Sequence, residues 1–126
     1  MERENMTRLE RGKWGERLAC AHFLAQGHAI LERNFRHRRC EIDLIVKCRS
    51  ETVFVEVKVR STDVWQDPAH LVSTDQQKRI LRAANAFLKT RRNSPGSSRF
   101  DIIHITFSGA DWRLDHIENA FWPWHA

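Results

Sequence analysis

Two adjacent segments decide the fold: C-E-I-D-L-I-V-K-C at residues 40–48, and E-T-V-F-V-E-V-K-V-R at residues 51–60. Both are rich in β-branched side chains, and the short polar break between them predicts a β-hairpin. In a half-buried strand, alternate residues face the core and the others face solvent. Here the alternation instead gathers charged side chains on one face of a hydrophobic hairpin, at Glu41, Asp43, Glu56 and Lys58.

The turn of this hairpin, centred on Arg49 and Ser50, determines which residues face each other. A slip of one residue would move every side chain to the opposite face. The predicted pairs are Asp43 with Glu56 and Glu41 with Lys58 on one face, and Ile42 with Val57, Leu44 with Val55 and Val46 with Val53 on a wholly apolar second face.

Carboxylates that face each other across two strands need a positive charge between them. Directly opposed residues have Cβ atoms about 4.5–5.5 Å apart, a distance at which like charges destabilise the sheet. A cation between Asp43 and Glu56 would remove that repulsion. Carboxylate oxygens without an accompanying His or Cys favour a hard ion such as Mg²⁺ or Mn²⁺. Lys58, two residues beyond Glu56 on the same face, lies one side-chain length from the predicted ion.

A purely structural interpretation of the same face is an ion-pair ladder. Glu41 would then pair with Lys58, and Glu56 with Arg60, to neutralise an exposed sheet face. Exposed ion pairs contribute only about 0–1 kcal/mol each, and they leave the juxtaposition of Glu56 with Asp43 unexplained. The metal-site interpretation is therefore the stronger one.

Two predicted helices flank the hairpin. Thr7 and Glu10 have the spacing of a capping box, which predicts a first helix. On this helix Glu16 lies beside the apolar stripe, either as a solvated glutamate or at the border of the core. Ser73 and Gln76 repeat the capping-box spacing and predict a second helix.

The first turn of the second helix is a candidate phosphate site, because its backbone N–H groups have no partners within the helix. Gln77 lies in this turn and falls on the predicted buried stripe of Leu81, Ala84 and Leu88. A surface glutamine at the helix edge is the alternative. Lys78 belongs to the basic remainder of the helix, which is either a solvated face or a surface for a nucleic-acid backbone.

Strand patterns at residues 28–35, 100–107 and 112–117 complete the chain. With the hairpin and the helices they predict the element order αβββαββ, and 126 residues fit a single domain. The run A-F-W-P-W-H-A at residues 120–126 is either a lid over the core or a homodimer contact. Trp65, in a polar loop after the hairpin, either packs that loop or stacks on a base.

The chain is basic, with 21 Lys and Arg against 16 Asp and Glu and a formal net charge of +5. This balance favours a polyanionic partner such as nucleic acid. Arg36, Arg38 and Arg39 lie directly before the acidic hairpin, in either a solvated loop or a phosphate-binding one. The three cysteines form no C-x-x-C pair, so reduced thiols and a cytoplasmic protein are expected. No segment approaches the roughly 18 apolar residues of a membrane span.

Asp43, a gap of twelve residues and then Glu56-Val57-Lys58 resemble the D…ExK core of the PD-(D/E)xK nuclease superfamily. Longer motifs are similar to those of the YraN-like uncharacterised protein family (family 0102), and the similarity spans about residues 11–121. These motifs are G-K-W-G-E-R-L-A, E-R-N-F-R, E-I-D-L-I, V-F-V-E-V-K-V-R, Q-Q-K-R-I and H-I-E-N-A-F.

The resemblance implies a restriction-endonuclease-like α/β fold, a central mixed β-sheet flanked by helices, close to that of archaeal Holliday junction resolvases. It further implies that Asp43, Glu56 and the backbone carbonyl of Val57 hold the metal. Glu16 would complete the acidic cluster from the first helix. Lys58 would position or activate the attacking water.

By the same resemblance, Gln77 would correspond to the polar position on the helix after the core. In a mechanism of phosphodiester hydrolysis, Arg60 and the basic second helix would supply the phosphate contacts. Two residues depart from the family pattern. Cys40 stands where the family usually has Gly, which puts in doubt a tight backbone approach or a positive φ at that position. Gln76 stands where the family often has Lys.

The expected function is that of a Mg²⁺- or Mn²⁺-dependent endonuclease acting on DNA. The fold resemblance favours branched or structured DNA of recombination or repair. The alternative is a non-catalytic module on the same fold, one that binds nucleic acid or another protein.

Overall fold

The computed structural model describes residues 5–62, 67, 70–91 and 96–122. Trp65 and residues 123–126, most of the aromatic tail, lie outside the described residues. The elements follow the predicted order αβββαββ. Their bounds are α1 (Arg8–Ala25), β1 (Ala29–His37), β2 (Cys40–Cys48), β3 (Glu51–Ser61), α2 (Thr74–Thr90), β4 (Ser98–Ser108) and β5 (Asp111–Ile117).

The strands form one five-stranded sheet in the order β1-β2-β3-β4-β5. Neighbours pair antiparallel except β3 and β4, which pair parallel. A parallel pair requires a crossover connection, and α2 lies within it. The predicted mixed sheet flanked by helices is therefore confirmed. Neither helix of the described chain is both long and apolar enough to cross a membrane.

Both helices begin at their predicted N-caps. In α1 the Thr7 hydroxyl accepts a hydrogen bond from the Glu10 N–H at 3.1 Å, and the Glu10 carboxylate accepts one from the Thr7 N–H at 3.0 Å. In α2 the Ser73 hydroxyl accepts a hydrogen bond from the Gln76 N–H at 3.1 Å. The Gln76 side chain turns towards β3 instead of back to Ser73, so the predicted second capping box is half formed.

The sheet buries apolar side chains on both faces. On the face covered by α2, Phe54 stacks on Phe100 and meets Phe87 of the helix edge-on. On the opposite face, α1 packs Phe23 into a cluster that includes Leu44. The helices thus cover opposite faces of the same strands, and the strands between them form the core.

Gly15 allows α1 to lie directly on β3. A Cβ atom at Gly15 would overlap the Val59 side chain and would lie 3.2 Å from Cγ1 of Val57. A Cβ atom at Gly12, one turn earlier, would meet nothing within 4 Å. The glycine at position 15 is therefore required by the close approach of helix and strand.

The hairpin has the predicted register only in the half nearest its turn. Pairing follows the expected alignment up to Leu44 and Val55, where the ladder between β2 and β3 ends. Asp43 and Glu56 are therefore not ladder partners, contrary to the prediction. Beyond Leu44, β2 continues along β1 instead.

The physical reason is a change of face in β2 at Asp43. Leu44 packs with the cluster under α1, whereas Ile42 packs with the cluster under α2. The predicted apolar face that contained both residues is therefore wrong. On β1, Asn34 falls between the partners of Ile42 and Leu44 and has a φ of 51°, so both strands are irregular at this point.

The start of β2 belongs to its pairing with β1. Glu41 contacts Arg36 of β1 at 3.4 Å on the exposed surface, so its predicted pairing with Lys58 is wrong. Cys40 is buried in the cluster under α2. In the turn between β1 and β2, Arg38 adopts the left-handed conformation, with a φ of 57°. Cys40 is thus accommodated by apolar packing, and its position does not require a left-handed conformation.

Asp101 on β4 is the most deeply buried charge among the described residues. Arg99 donates to both of its carboxylate oxygens at 2.9 Å, and His116 Nε2 lies 2.7 Å from Oδ2. Burial alone would raise the pKa of Asp101, but the hydrogen bonds from His116, Arg99 and the Asn119 N–H outweigh it and lower that pKa. This cluster ties β4 to β5 and to the turn that follows.

Candidate active site

The candidate active site lies where β2 and β3 separate. Asp43 turns its side chain towards β3, and its Oδ2 atom accepts a hydrogen bond of 2.8 Å from the Val57 N–H. The N–H and C=O of one strand residue point to the same side of the strand. The Val57 carbonyl therefore faces the same gap, which brings Asp43 and Val57 together as the resemblance implied.

Glu56 and Lys58 project from β3 to the face covered by α2. Lys58 Nζ lies 3.5 Å from Glu56 Oε1, and 14% and 9% of the two side chains are exposed. Gln76, in the first turn of α2, bridges the pair. Its Nε2 donates to Glu56 Oε1 at 2.9 Å, and its Oε1 accepts from Lys58 Nζ at 3.1 Å. Lys58 is thus held beside the carboxylates in a defined position.

The two carboxyl groups are shielded from solvent together, Glu56 as a buried and Asp43 as a half-buried residue. Burial raises the pKa of Asp43 to about 8, and the negative charge of Glu56 adds to this increase although the Val57 N–H opposes it. Burial also raises the pKa of Glu56, against the opposing charge of Lys58. At neutral pH, the two carboxyl groups can therefore lie side by side only if one of them is protonated or if a further cation lies close to both.

Glu16 approaches the gap from α1 and is half-buried. Its Oε2 atom accepts a hydrogen bond of 3.1 Å from Nδ2 of Asn34 on β1. Its negative charge contributes to the raised pKa of Asp43. Glu16 thus lies at the α1 edge of the gap, within electrostatic range of Asp43 and held there by Asn34.

The donor atoms of the gap are the carboxylate oxygens of Asp43 and Glu56 and the carbonyl of Val57. Such oxygen atoms suit Mg²⁺ or Mn²⁺ better than zinc, and the repulsion within the buried pair favours a cation. Within the described ranges, no three His, Cys, Asp or Glu side chains are already grouped as metal ligands. Glu16 would have to move closer to Asp43 and Glu56 to act as a third carboxylate ligand.

The predicted nucleic-acid contacts fall on different surfaces. Arg36 and Arg60 line grooves that also contain a residue of the candidate site. Arg38 lines a separate groove against the C-terminal half of α2. Arg39 is exposed in the same turn as Arg38, and Lys78 is exposed on α2.

Gln76, rather than Gln77, is the polar residue that α2 directs into the gap. Gln77 Nε2 donates to the Val72 carbonyl at 3.2 Å instead. Ile80, Ala84 and Phe87 form the buried stripe of α2, as the apolar pattern predicts, with Leu81 and Leu88 beside it. Gln76, and not Gln77, lies one turn before Ile80 on that stripe. Because Gln76 also has the capping-box spacing from Ser73, its role in the gap was not predicted. Its spacing from Ile80 was the signal that could have revealed it.

Comparison with known proteins places the chain in a sequence family. The family described as Uncharacterised protein family UPF0102 matches residues 15–105. A UPF0102 protein of Chlorobium phaeobacteroides is 40% identical over 116 residues, which cover 87% of this chain and 92% of the relative. A UPF0102 protein of Geobacter metallireducens is 41% identical over 110 residues, covering 87% and 90%.

A UPF0102 protein of Clostridioides difficile is 36% identical over 116 residues, which cover 92% of this chain and 100% of the relative. The residues matched by the family include the whole candidate site, from Glu16 on α1 to Gln76 on α2. The chain therefore belongs to Uncharacterised protein family UPF0102.

Proposed function

We propose that this protein is a metal-dependent nuclease that hydrolyses phosphodiester bonds in DNA. The observation that carries the proposal is the pairing of half-buried Asp43 with buried Glu56, next to Lys58, where two strands separate. Buried carboxyl groups with raised pKa values in a cleft are typical of functional sites. A sheet with only a structural role gains nothing from placing two such groups together.

The roles of the residues follow from their positions. Asp43, Glu56 and the Val57 carbonyl would hold Mg²⁺ or Mn²⁺, which when bound supplies a water of lowered pKa and neutralises charge on the phosphate. Lys58 donates hydrogen bonds to the attacking water or to a phosphate oxygen and so orients the two for in-line attack. Gln76 limits the motion of Lys58 because it accepts one of its hydrogen bonds.

The substrate proposed is branched or structured DNA, in line with the resemblance to junction resolvases. Arg36 and Arg60 would contact phosphates on either side of the gap. Lys78, Arg38 and Arg39 lie on surfaces that only an extended substrate would reach. Gln77 is a weaker candidate, because its side chain is already bonded to the Val72 carbonyl.

A second candidate function is a non-catalytic module that binds nucleic acid or another protein. The observation that favours it is the engagement of Glu56, whose Oε1 atom already lies near both Lys58 and Gln76. These contacts offset part of the negative charge without a metal. In such a module the cluster would be a remnant of the catalytic fold.

The test is cleavage of labelled single-stranded, duplex, forked and four-way-junction DNA, and of RNA, with Mg²⁺ or Mn²⁺ against chelator. We expect Asp43→Asn, Glu56→Gln and Lys58→Met to abolish metal-dependent cleavage. Glu41→Gln is the matched control, because Glu41 lies on the same strand as Asp43 but pairs with Arg36 at the surface.

Wild-type cleavage that survives in Glu56→Gln or Lys58→Met would contradict the assigned site. Binding of nucleic acid without cleavage under every metal condition would favour the non-catalytic module.

A further inference from the structure

A basic groove runs between α1 and β3 and opens into the candidate site. This α1–β3 groove, with a volume of about 510 Å³, is lined by Arg8 and Arg11 from α1 and by residues 57–61 of β3. Four of its lining residues are basic, although Lys58 directs its ammonium group to Gln76 on the α2 face, and none of the described residues that line it is acidic. A cleft of one charge sign concentrates ligands of the opposite sign, and a phosphate backbone is such a ligand.

Arg11 is positioned in this groove without a counter-ion. Its guanidinium lies over the ring of Phe107, 4.8 Å from the centroid. Its Nε atom is buried and has no hydrogen-bond partner. No carboxylate of the described residues forms an ion pair with it. A partly desolvated cation without a partner is costly, and an anion in the groove would offset that cost.

An exposed tryptophan lies beyond the end of the groove. Ser61, at the groove's end, pairs with Phe107 of β4, and Phe107 pairs with Trp112 of β5. Trp112 is 45% exposed, and Trp14 meets it edge-on with ring centroids 6.1 Å apart. A basic groove followed by a fixed, exposed aromatic ring is typical of surfaces that bind single-stranded nucleic acid, whose bases stack on the ring.

We infer that the α1–β3 groove binds the sugar–phosphate backbone of a single-stranded segment and that Trp112 stacks on a base of that segment. The inference deepens the proposed function, on which it rests, because the groove leads to Lys58. The segment is then the unpaired flank of the substrate whose phosphodiester lies in the gap. A fully paired duplex would hide the faces of its bases from Trp112, so unpaired DNA binds more tightly.

The backbone contact is tested by fluorescence anisotropy with a labelled single strand and a blunt duplex, in chelator so that no cleavage occurs. Arg8→Gln and Arg11→Gln are each expected to weaken single-strand binding about 3- to 10-fold and to lower the slope of log affinity against log salt by about one. Arg91→Gln is the matched control, because Arg91 lies over Phe87 at 5.0 Å, the same stacking on another part of the surface.

A charge placed in the groove gives a test that does not depend on removing a contact. Gly12 also lines the α1–β3 groove, and its missing side chain faces open space. Both Gly12→Glu and Gly12→Gln improve helix propensity, so both should fold. Gly12→Glu is expected to bind single strands about tenfold more weakly than Gly12→Gln, which has the same shape without the charge.

The stacking contact is tested with Trp112→Ala and Trp112→Phe. Trp112→Ala is expected to weaken single-strand binding about 5- to 100-fold, whereas Trp112→Phe retains most of it because a ring remains. Blunt-duplex affinity should be the same in both variants, which separates a lost stacking contact from a damaged fold.

Equal single-strand affinity in wild type, Arg8→Gln and Arg11→Gln would overturn the groove assignment, even if the protein cleaves DNA through Asp43 and Glu56. A duplex bound as tightly as a single strand, with no effect of Trp112→Ala, would overturn the preference for unpaired DNA. A protein that binds single strands through the groove and cleaves none supports this inference and contradicts the nuclease proposal.

Discussion

At the scale of single residues, Asp43 determines the geometry of the site. A residue in the middle of a strand normally pairs through its backbone with both neighbouring strands. Asp43 instead meets β3 through its side chain, which accepts the Val57 N–H. The carboxylate of Asp43 thus takes the place of a backbone ladder partner, and the gap between β2 and β3 opens at this residue. The same arrangement shields from solvent a negative charge that no neighbouring group fully neutralises.

Asp43→Asn is therefore expected to stabilise the metal-free protein. The folded-state pKa of Asp43, about 8, is raised above its unfolded value near 4. The wild type thus loses stability as pH rises from about 4 to about 8, because folding then requires Asp43 either to take up a proton or to bury its charge. At a pH of about 8 in chelator, the variant should gain about 1–3 kcal/mol in free energy of unfolding, measured by urea denaturation.

We expect Mn²⁺ to stabilise the wild type through the proposed site, and the same variant should lose that stabilisation. Calorimetric titration of Mn²⁺ and the change in melting temperature on addition of Mn²⁺ measure this second expected effect. A variant less stable than wild type in chelator, or one with unchanged Mn²⁺ affinity, would contradict the assignment.

Gln76 makes a separate prediction at the residue scale, because it fixes Lys58 against Glu56. Gln76→Ala should lower the single-turnover cleavage rate about tenfold, a typical effect of misplacing a catalytic group. Gln77→Ala is the neighbouring control and should change the rate less than about twofold, since its side chain bonds to the Val72 carbonyl instead. Equal effects of the two changes would show that α2 acts on the site only as a scaffold.

At the scale of elements, the contact between α1 and β3 positions both the α1 edge of the gap and the α1–β3 groove. Gly15 lets the helix axis approach the strand until Val57 and Val59 touch its backbone. Glu16 follows directly and points towards Asn34. One glycine thus sets the distance at which Glu16 and the basic residues of the helix face β3.

Gly15→Ala is expected to destabilise the protein by about 1–3 kcal/mol, because its Cβ would overlap the Val59 side chain in a packed interface. Gly12→Ala, in the same helix, should stabilise it by about 0.5–1 kcal/mol, since its Cβ meets open space. Thermal and urea unfolding measure both. Val59→Ala combined with Gly15→Ala should recover part of the loss, and a loss that remains complete would rule out this contact as its cause.

At the scale of the whole molecule, the fold contains two separate clusters of charged side chains. The pKa values of their carboxyl groups are shifted in opposite directions. The Asp43 and Glu56 cluster lies where strands part, and its carboxyl groups have raised pKa values. The Asp101 cluster lies inside continuous ladders, where Arg99 and His116 satisfy its carboxylate. The raised pKa values of the first cluster fit the proposed metal site, whereas the carboxylate of the second is paired with Arg99 and His116 and holds β4 to β5.

The Asp101 cluster predicts how stability depends on pH. Its pKa is lowered on folding, so its contribution is present above the unfolded value near 4 and is lost as pH falls through the folded value. Asp101→Asn should cost about 3–5 kcal/mol at neutral pH, because Arg99 loses its buried partner. The difference from wild type should shrink below about pH 4.

Urea denaturation between neutral and acidic pH measures this difference. Asp115→Asn serves as the control, because Asp115 pairs with Arg113 at the exposed surface and should cost less than about 1 kcal/mol. A cost of Asp101→Asn that does not vary with pH would contradict the assignment.

Local sequence patterns were sufficient to predict the helices and strands and to identify Asp43 and Glu56 as the acidic pair. Alternation along β2 and β3 and the turn at Arg49 and Ser50 correctly predicted the pairing of Leu44 with Val55. The same alternation failed from Asp43 onwards, because strand periodicity assumes that every residue pairs through its backbone. A side chain that replaces a ladder bond cannot be recognised from periodicity.

The sequence by itself determined the order αβββαββ, the helix caps and the presence of Asp43, Glu56 and Lys58 near one another, since these depend on short-range spacing. Only the tertiary structure decided that Gln76 bridges Glu56 and Lys58, because packing on the sheet determines that the stripe through Ile80, and not the neighbouring one through Leu81, faces the gap. The α1–β3 groove likewise depends on the tertiary structure. It exists because a helix and a strand far apart in sequence meet at Gly15.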